Sequence, residues 1–115
     1  MRVKDLLERI ELEVFAGETG LEREVESGYC GDLLSDVMAH SPKGAVWFTV
    51  QSHQNIVAVA LLKEMAAIIL VNGRRPDEDT MAKADQEGIP VMVTSLGAYE
   101  AAGVLWTAGA GGRDR

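Results

Sequence analysis

Ala45–Gly73 reads AVWFTVQSHQNIVAVALLKEMAAIILVNG, and the order of its blocks decides the fold. AVWFTV (Ala45–Val50) is a short β-branched and aromatic run, suited to a strand buried on both faces. HQNIVAVALLKEM then opens polar and continues apolar at helical length. AAIILVNG is a second buried strand, closed by an Asn-Gly turn at Asn72 and Gly73. Strand, helix and strand in that order form a parallel crossover unit, whose connection is expected to be right-handed.

The same alternation continues outward. RPDEDTMAKADQEG is a polar helix with acids Asp77, Glu78 and Asp79 in its first turn, at the positive end of the dipole. It ends at Gly88, a residue suited to the position after a helix. IPVMVTS is a third strand, and LGAYEAAGVLWTAG a last helix expected to be capped by Ser95. Towards the N-terminus, SPKG (Ser41–Gly44) ends a helix whose apolar face is Leu33, Leu34, Val37 and Met38, with Asp32 expected as its N-cap. Before it, VKDLLERI reads as a short amphipathic helix and LEVFAG as a short strand ending at Gly17. The expected fold is a single α/β domain over residues 1–108, a small parallel sheet flanked by helices, with a flexible tail over 109–115.

The chain has 115 residues, a 47 % hydrophobic content and one cysteine. That length buries a core without disulfides or a structural metal. A lone Cys30 excludes a CxxC motif and an internal disulfide. With only His40 and His53, an all-protein zinc site is not expected, and no cofactor is implied. Net charge is −7, which opposes phosphate neutralisation, so nucleic acid is not an expected partner. No apolar run reaches the length of a membrane span, and the charged N-terminus lacks the apolar core of a signal peptide. A cytoplasmic location and no membrane partner follow as expectations.

In an open parallel sheet, ligands bind beyond the carboxyl ends of the strands. Three loops are expected there, and each leads into a helix N-terminus, which attracts anions. Gln51–Asn55 is the densest polar cluster in the chain, with Gln51, Ser52, His53 and Asn55 as candidate ligand-binding residues. The plainer reading has Ser52 capping the helix and its neighbours facing water. Asn72, Gly73 and Arg74 are candidates in the next loop, where Arg74 and Arg75 suit a phosphate or carboxylate. There the plainer reading is a turn whose arginines pair with the acids that follow. Ser95 is the candidate in the third loop.

SGYCGDLLSDVM (Ser27–Met38) adds Gly31 and Asp32, through backbone N–H groups around Gly31 rather than through the thiol. Cys30 reads as a small buried hydrophobe. The chain has no GxxxxGK[ST] loop and no GxGxxG after a strand, and the spacing of Cys30, His40 and His53 gives no catalytic dyad. No catalytic residues are assigned.

Taken together, GYCGDLLSDVM, QSHQNIVAVA and ILVNGRRPD resemble the DRTGG domain, over roughly Leu21 to Leu105. The positions that give the family its name fall on Glu22–Arg23 and Ser27–Gly28, with Glu in place of Asp and Ser in place of Gly. The resemblance implies a non-catalytic regulatory module similar to the N-terminal domain of HPr kinase. Such modules occur within larger bacterial and archaeal proteins and as stand-alone chains, and they tend to form homodimers.

Three functions are weighed. The first is a regulatory module that senses a small polar metabolite or nucleotide in a pocket lined by His53, Asn55, Asn72 and Ser95. The second is a homodimerisation or protein-docking module without a small ligand, using a patch of Tyr29, Leu33, Leu34 and Val37. The third is phosphotransfer through His53. An exposed Trp47 or Trp106 would mark a partner surface.

Overall fold

The computed structural model describes residues 1–110. Its centre is a five-stranded sheet: β1 (Glu13–Ala16), β2 (Ser27–Cys30), β3 (Ala45–Thr49), β4 (Ala67–Leu70) and β5 (Val91–Val93). The strand order is β1-β5-β4-β3-β2. Strands β2 to β5 are mutually parallel, and β1 pairs antiparallel with β5. The expected parallel sheet is therefore present, with one antiparallel strand added at its edge. Every residue of β3, β4 and β5 is buried, as strands covered on both faces must be.

Helices α1 (Leu34–His40), α2 (Asn55–Leu62) and α3 (Glu78–Glu87) are the crossovers between successive parallel strands. All three pack on one face. Val37, Ile56, Val57, Ala60 and Ala84 form a cluster there with Trp47, Ile68, Leu70 and Val91. α4 (Ala98–Leu105) crosses to the other face. With the 3-10 turn Val3–Glu8, it covers Val46, Phe48, Ala67, Ile69 and Met92. Trp47 is fully buried and donates from Nε1 to the Gly31 carbonyl at 2.8 Å.

Several local expectations are corrected. The first helical segment is a 3-10 turn rather than an α-helix. Asp32 is not the cap of α1: Leu33 holds that position, with no side-chain cap bond. Ser52 does not cap α2, and Ser95 does not cap α4, because Gln54 and Gly97 occupy those positions. In each case the polar side chain or backbone lies closer to a neighbouring loop than to the helix. Cys30 is exposed, not buried, because β2 is an edge strand. Gly88 ends α3 as its sequence indicates. Residues Trp106–Ala110 continue α4 as a π-helical turn, so the tail expected from 109 onward falls chiefly on 111–115, outside the described residues.

Candidate functional site

Four loops line the carboxyl edge of the parallel strands. The β2 and β3 loops are tied together first. The Asp32 carboxylate accepts from Thr49 Oγ1 at 2.8 Å and from the Val50 N–H at 2.9 Å. Gln51 Nε2 donates to the Asp32 carbonyl at 2.7 Å. Gly31 is held through its N–H on the Phe48 carbonyl. Gly31, Asp32 and Gln51 thus brace two strand ends against each other, with Asp32 Oδ1 and Gln51 Nε2 engaged in doing so.

The next loop carries Ser52, His53 and Asn55. The Ser52 carbonyl accepts from the Asp77 N–H at 3.1 Å and from Thr80 Oγ1 at 2.6 Å, joining the entrances of α2 and α3. His53 Nδ1 accepts from the Asn55 N–H at 3.2 Å, so its imidazole serves the free N–H of the first helical turn. This bond sets Nδ1 as the acceptor nitrogen, and His53 is exposed.

Adjacent strands β4 and β5 send their chains to opposite faces, into α3 and α4. In an α/β sheet, the crevice at such a divergence is where ligands characteristically bind. The preceding connections, through α1, α2 and α3, all run over one face. Asn72, Gly73 and Arg74 stand on one side, Ser95 and Gly97 on the other. Two backbone bonds lace the sides together: Asn72 N–H to the Leu96 carbonyl and Gly73 N–H to the Thr94 carbonyl, both 2.8 Å. Asn72 adopts a left-handed conformation (φ 59°), uncommon outside glycine and tolerated by Asn. Its Oδ1 lies beside Gly97, within 3.5 Å of where a Cβ on that glycine would sit.

Ser95 is engaged from a distance in sequence. Its Oγ and N–H both donate to Glu11 Oε1, at 2.9 and 3.3 Å. Arg75 lies over the Phe15 ring, 5.2 Å from its centroid, and among the described residues neither arginine pairs with the acids that follow. Arg74 is exposed in the loop after β4. Sequence reasoning missed Thr94, whose side chain accepts from the Leu96 N–H, and Glu11. A threonine just past the end of a strand, and an acid 84 residues away from its partner, carry no local signal.

The candidates therefore fall into a brace (Gly31, Asp32, Gln51), a helix entrance (Ser52, His53, Asn55) and a crevice (Asn72, Gly73, Arg74, Ser95). The proposed single pocket of His53, Asn55, Asn72 and Ser95 is spread over three adjoining loops. Among the described residues, no three His, Cys, Asp or Glu side chains gather to hold a metal, and no helix is long and apolar enough to cross a membrane.

A second polar cluster lies on the α1 side. Tyr29 donates its hydroxyl to Asp36 Oδ2 at 2.7 Å, and His40 Nδ1 lies 3.1 Å from Asp36 Oδ1. The Tyr29 hydroxyl, with His40 adding a smaller effect, holds the Asp36 carboxyl below the usual carboxylate range. The same hydrogen bond, then partial burial, pushes the Tyr29 hydroxyl up. Burial, followed by the Asp32 charge, raises the Cys30 thiol, so less of it is thiolate at neutral pH and it is a poor nucleophile. Of the name-giving positions, the Glu22–Arg23 pair makes structural bonds, whereas the buried Ser27 Oγ has no hydrogen-bond partner among the described residues. Arg23 Nε donates to the Gly88 carbonyl at 3.0 Å, and Glu22 receives Lys4 Nζ at 3.0 Å.

The family model of the DRTGG domain matches residues 5–108. No curated protein matches the chain in sequence. Among solved structures, the chain is similar to the CBS and DRTGG domains of the regulatory region of Clostridium perfringens pyrophosphatase, a structure complexed with its activator, diadenosine tetraphosphate. The TM-score is 0.70 at 16 % identity, over 90 % of this chain and 45 % of that one. The chain thus spans less than half the length of this neighbour, and the likeness is one of fold.

Proposed function

The chain belongs to the DRTGG domain family, and on that footing we propose that it is a regulatory module without catalysis of its own, which takes a small polar metabolite or nucleotide at the carboxyl edge of its sheet and acts through self-association. The observation that carries the ligand half is the divergence of the β4 and β5 loops to opposite faces. It gathers Asn72, Arg74 and Ser95 around one crevice, with Gly73 and Gly97 leaving the backbone open to close approach. Arg74 supplies the one cationic fork at the mouth and suits a phosphate or carboxylate. The backbone bonds between the loops and the fixed conformation of Asn72 keep the crevice organised before anything binds, which lowers the ordering cost of binding. The fold neighbour's occupancy by a nucleotide activator is consistent with a nucleotide here.

Thermal-shift measurements with AMP, ADP, ATP and diadenosine tetraphosphate test this reading. A ligand that binds only the folded chain raises its melting temperature with concentration. The expected result is a rise with at least one nucleotide that is reduced in Arg74→Ala and Asn72→Ala and retained in His53→Ala. No rise with any nucleotide, or a rise lost only in His53→Ala, would refute the assignment to this crevice.

A docking module without a small ligand is the second reading. It is favoured by two large exposed aromatics, Tyr99 and Trp106, at 93 % and 64 % exposure. Of the patch expected for it, Leu33 is exposed, Tyr29 and Leu34 are half-buried, and Val37 is fully buried in the core.

A further inference from the structure

α4 packs over β2 and β3 through its buried residues Ala101 and Leu105. A second stripe of the same helix meets solvent. Tyr99, Ala102, Gly103 and Trp106 follow at the three- and four-residue steps that share one helix face. With Ala98, Glu100 and Cys30, at the end of edge strand β2, they line an open groove of about 580 Å³. That volume lies within the range of small-ligand sites.

The walls of the groove are aromatic. Tyr99 and Trp106 are both exposed and stand two helical turns apart, about 10.5 Å along the axis. Ala102 and Gly103 between them carry at most a methyl group, which leaves a notch. A group at the middle of that notch is about 5 Å along the axis from either wall, inside the roughly 6 Å at which a cation is held over a ring. Gly103 has no use in the fold itself. It lacks a positive φ, and a Cβ placed on it would meet nothing within 4 Å. Glycine inside a helix costs stability relative to alanine, so the missing side chain serves the space outside the helix.

Charge selects the occupant. Glu100 is the one charged residue of the lining, and no Lys, Arg or His is among the described residues there. Its carboxylate makes no ion pair among the described residues. Aromatic faces carry negative potential, and the whole chain carries −7. A phosphate or carboxylate is opposed here, and a cation is attracted. The apolar walls favour a cation whose own surface is apolar.

We infer that this groove is a binding site for a small organic cation of the quaternary ammonium class. Its methyl groups lie against the Tyr99 and Trp106 rings above Gly103, and Glu100 supplies the counter-charge. A hydrated metal ion finds only one carboxylate and no further oxygen cage. The crevice between β4 and β5 offers Arg74 and suits anions, so the two sites take ligands of opposite sign.

Tetramethylammonium and choline are the probes, and the uncharged carbon isostere of choline is their control. Trp47 is fully buried and Trp106 exposed, so a change of indole emission on titrating the full chain reports Trp106. The expected result is saturable quenching in the millimolar range, as suits two ring contacts on an open surface. Amide shifts are expected to centre on Ala102 and Gly103, and the isostere to bind at least about threefold more weakly. Trp106→Ala, Tyr99→Ala and Glu100→Gln, all at exposed positions, are each expected to weaken binding at least about twofold, read by the amide shifts. Gly103→Leu fills the notch and is expected to abolish binding while melting stays at or above wild type. No saturable change up to about 0.1 M of either probe would overturn the inference. So would equal binding of the isostere, or binding untouched by Gly103→Leu. Stabilisation by nucleotides is expected to be unchanged in all four variants, so failure here and failure of the crevice assignment are read separately.

Discussion

Asp32 is short, acidic and followed by an amphipathic run, so every local signal marks it as a helix cap. The fold uses it instead to hold the end of β3, through Thr49 Oγ1 and the Val50 N–H. Asp32→Ala leaves both donors without their acceptor. An expected loss of about 1–2 kcal/mol, read by urea unfolding, follows from the usual cost of a removed hydrogen-bond partner. A larger effect of Asp32→Ala than of Ser95→Ala is expected, because Ser95 and Glu11 are both exposed. The choice between cap and brace was not legible in the sequence: it depends on which loop stands next to residue 32, and that is set by strand order rather than by neighbours in the chain.

Tyr29 and Asp36 set a pH dependence at the same scale. The Asp36 carboxyl is depressed in the fold, so its contribution is present above the unfolded carboxyl's pKa and lost as pH falls through the lower folded value. The Tyr29 hydroxyl is raised, so its contribution is present below the ordinary tyrosine pKa and lost as pH rises through the higher folded value. Denaturation of Tyr29→Phe against pH is expected to run below wild type between these limits and to converge with it at both extremes. A gap independent of pH would assign the tyrosine's effect to packing alone.

Among elements, the parallel core was the most legible part. AVWFT and AIIL are too apolar for half-exposed strands and too short for helices, and a segment of helical length separates them, so a parallel sheet was the consistent solution. The direction of β1 was not legible, because EVFA carries no information about its partner. It runs antiparallel beside β5 with a bulge between Val14 and Ala16, and this lets Val14 face one core and Ala16 the other.

Gly17 ends that strand in the left-handed region (φ 74°), donates to Asp85 Oδ1 at 2.7 Å, and leaves no room for a Cβ against the Ile89 carbonyl. Gly73 has a similar φ of 70° and open space around it. Gly17→Ala is therefore expected to cost well over 2 kcal/mol and Gly73→Ala about 1 kcal/mol, since only the backbone strain is common to both. Comparison of the two midpoints in urea checks the contrast, and equal costs would remove the close approach as its cause.

At the scale of the whole molecule, three crossovers on one face and a fourth helix on the other place the crevice and the free edge at different sites. The crevice lies between β4 and β5 at the carboxyl ends. The open edge belongs to β2, two strands away. The sequence placed the candidate loops on one rim of the sheet correctly. It ranked Gln51–Asn55 first because polar density is visible in a sequence, whereas the divergence of two chains to opposite faces is visible only in the fold.

The assignment of the crevice is tested most directly by amide NMR of the full chain titrated with the nucleotide that stabilises it most. Shifts are expected to centre on Asn72, Gly73, Arg74, Ser95 and Gly97, with smaller changes along α4. Shifts centred on His53 and Asn55 with the β4 and β5 loops unmoved, or no shift at saturating AMP, ADP, ATP and diadenosine tetraphosphate, would contradict it.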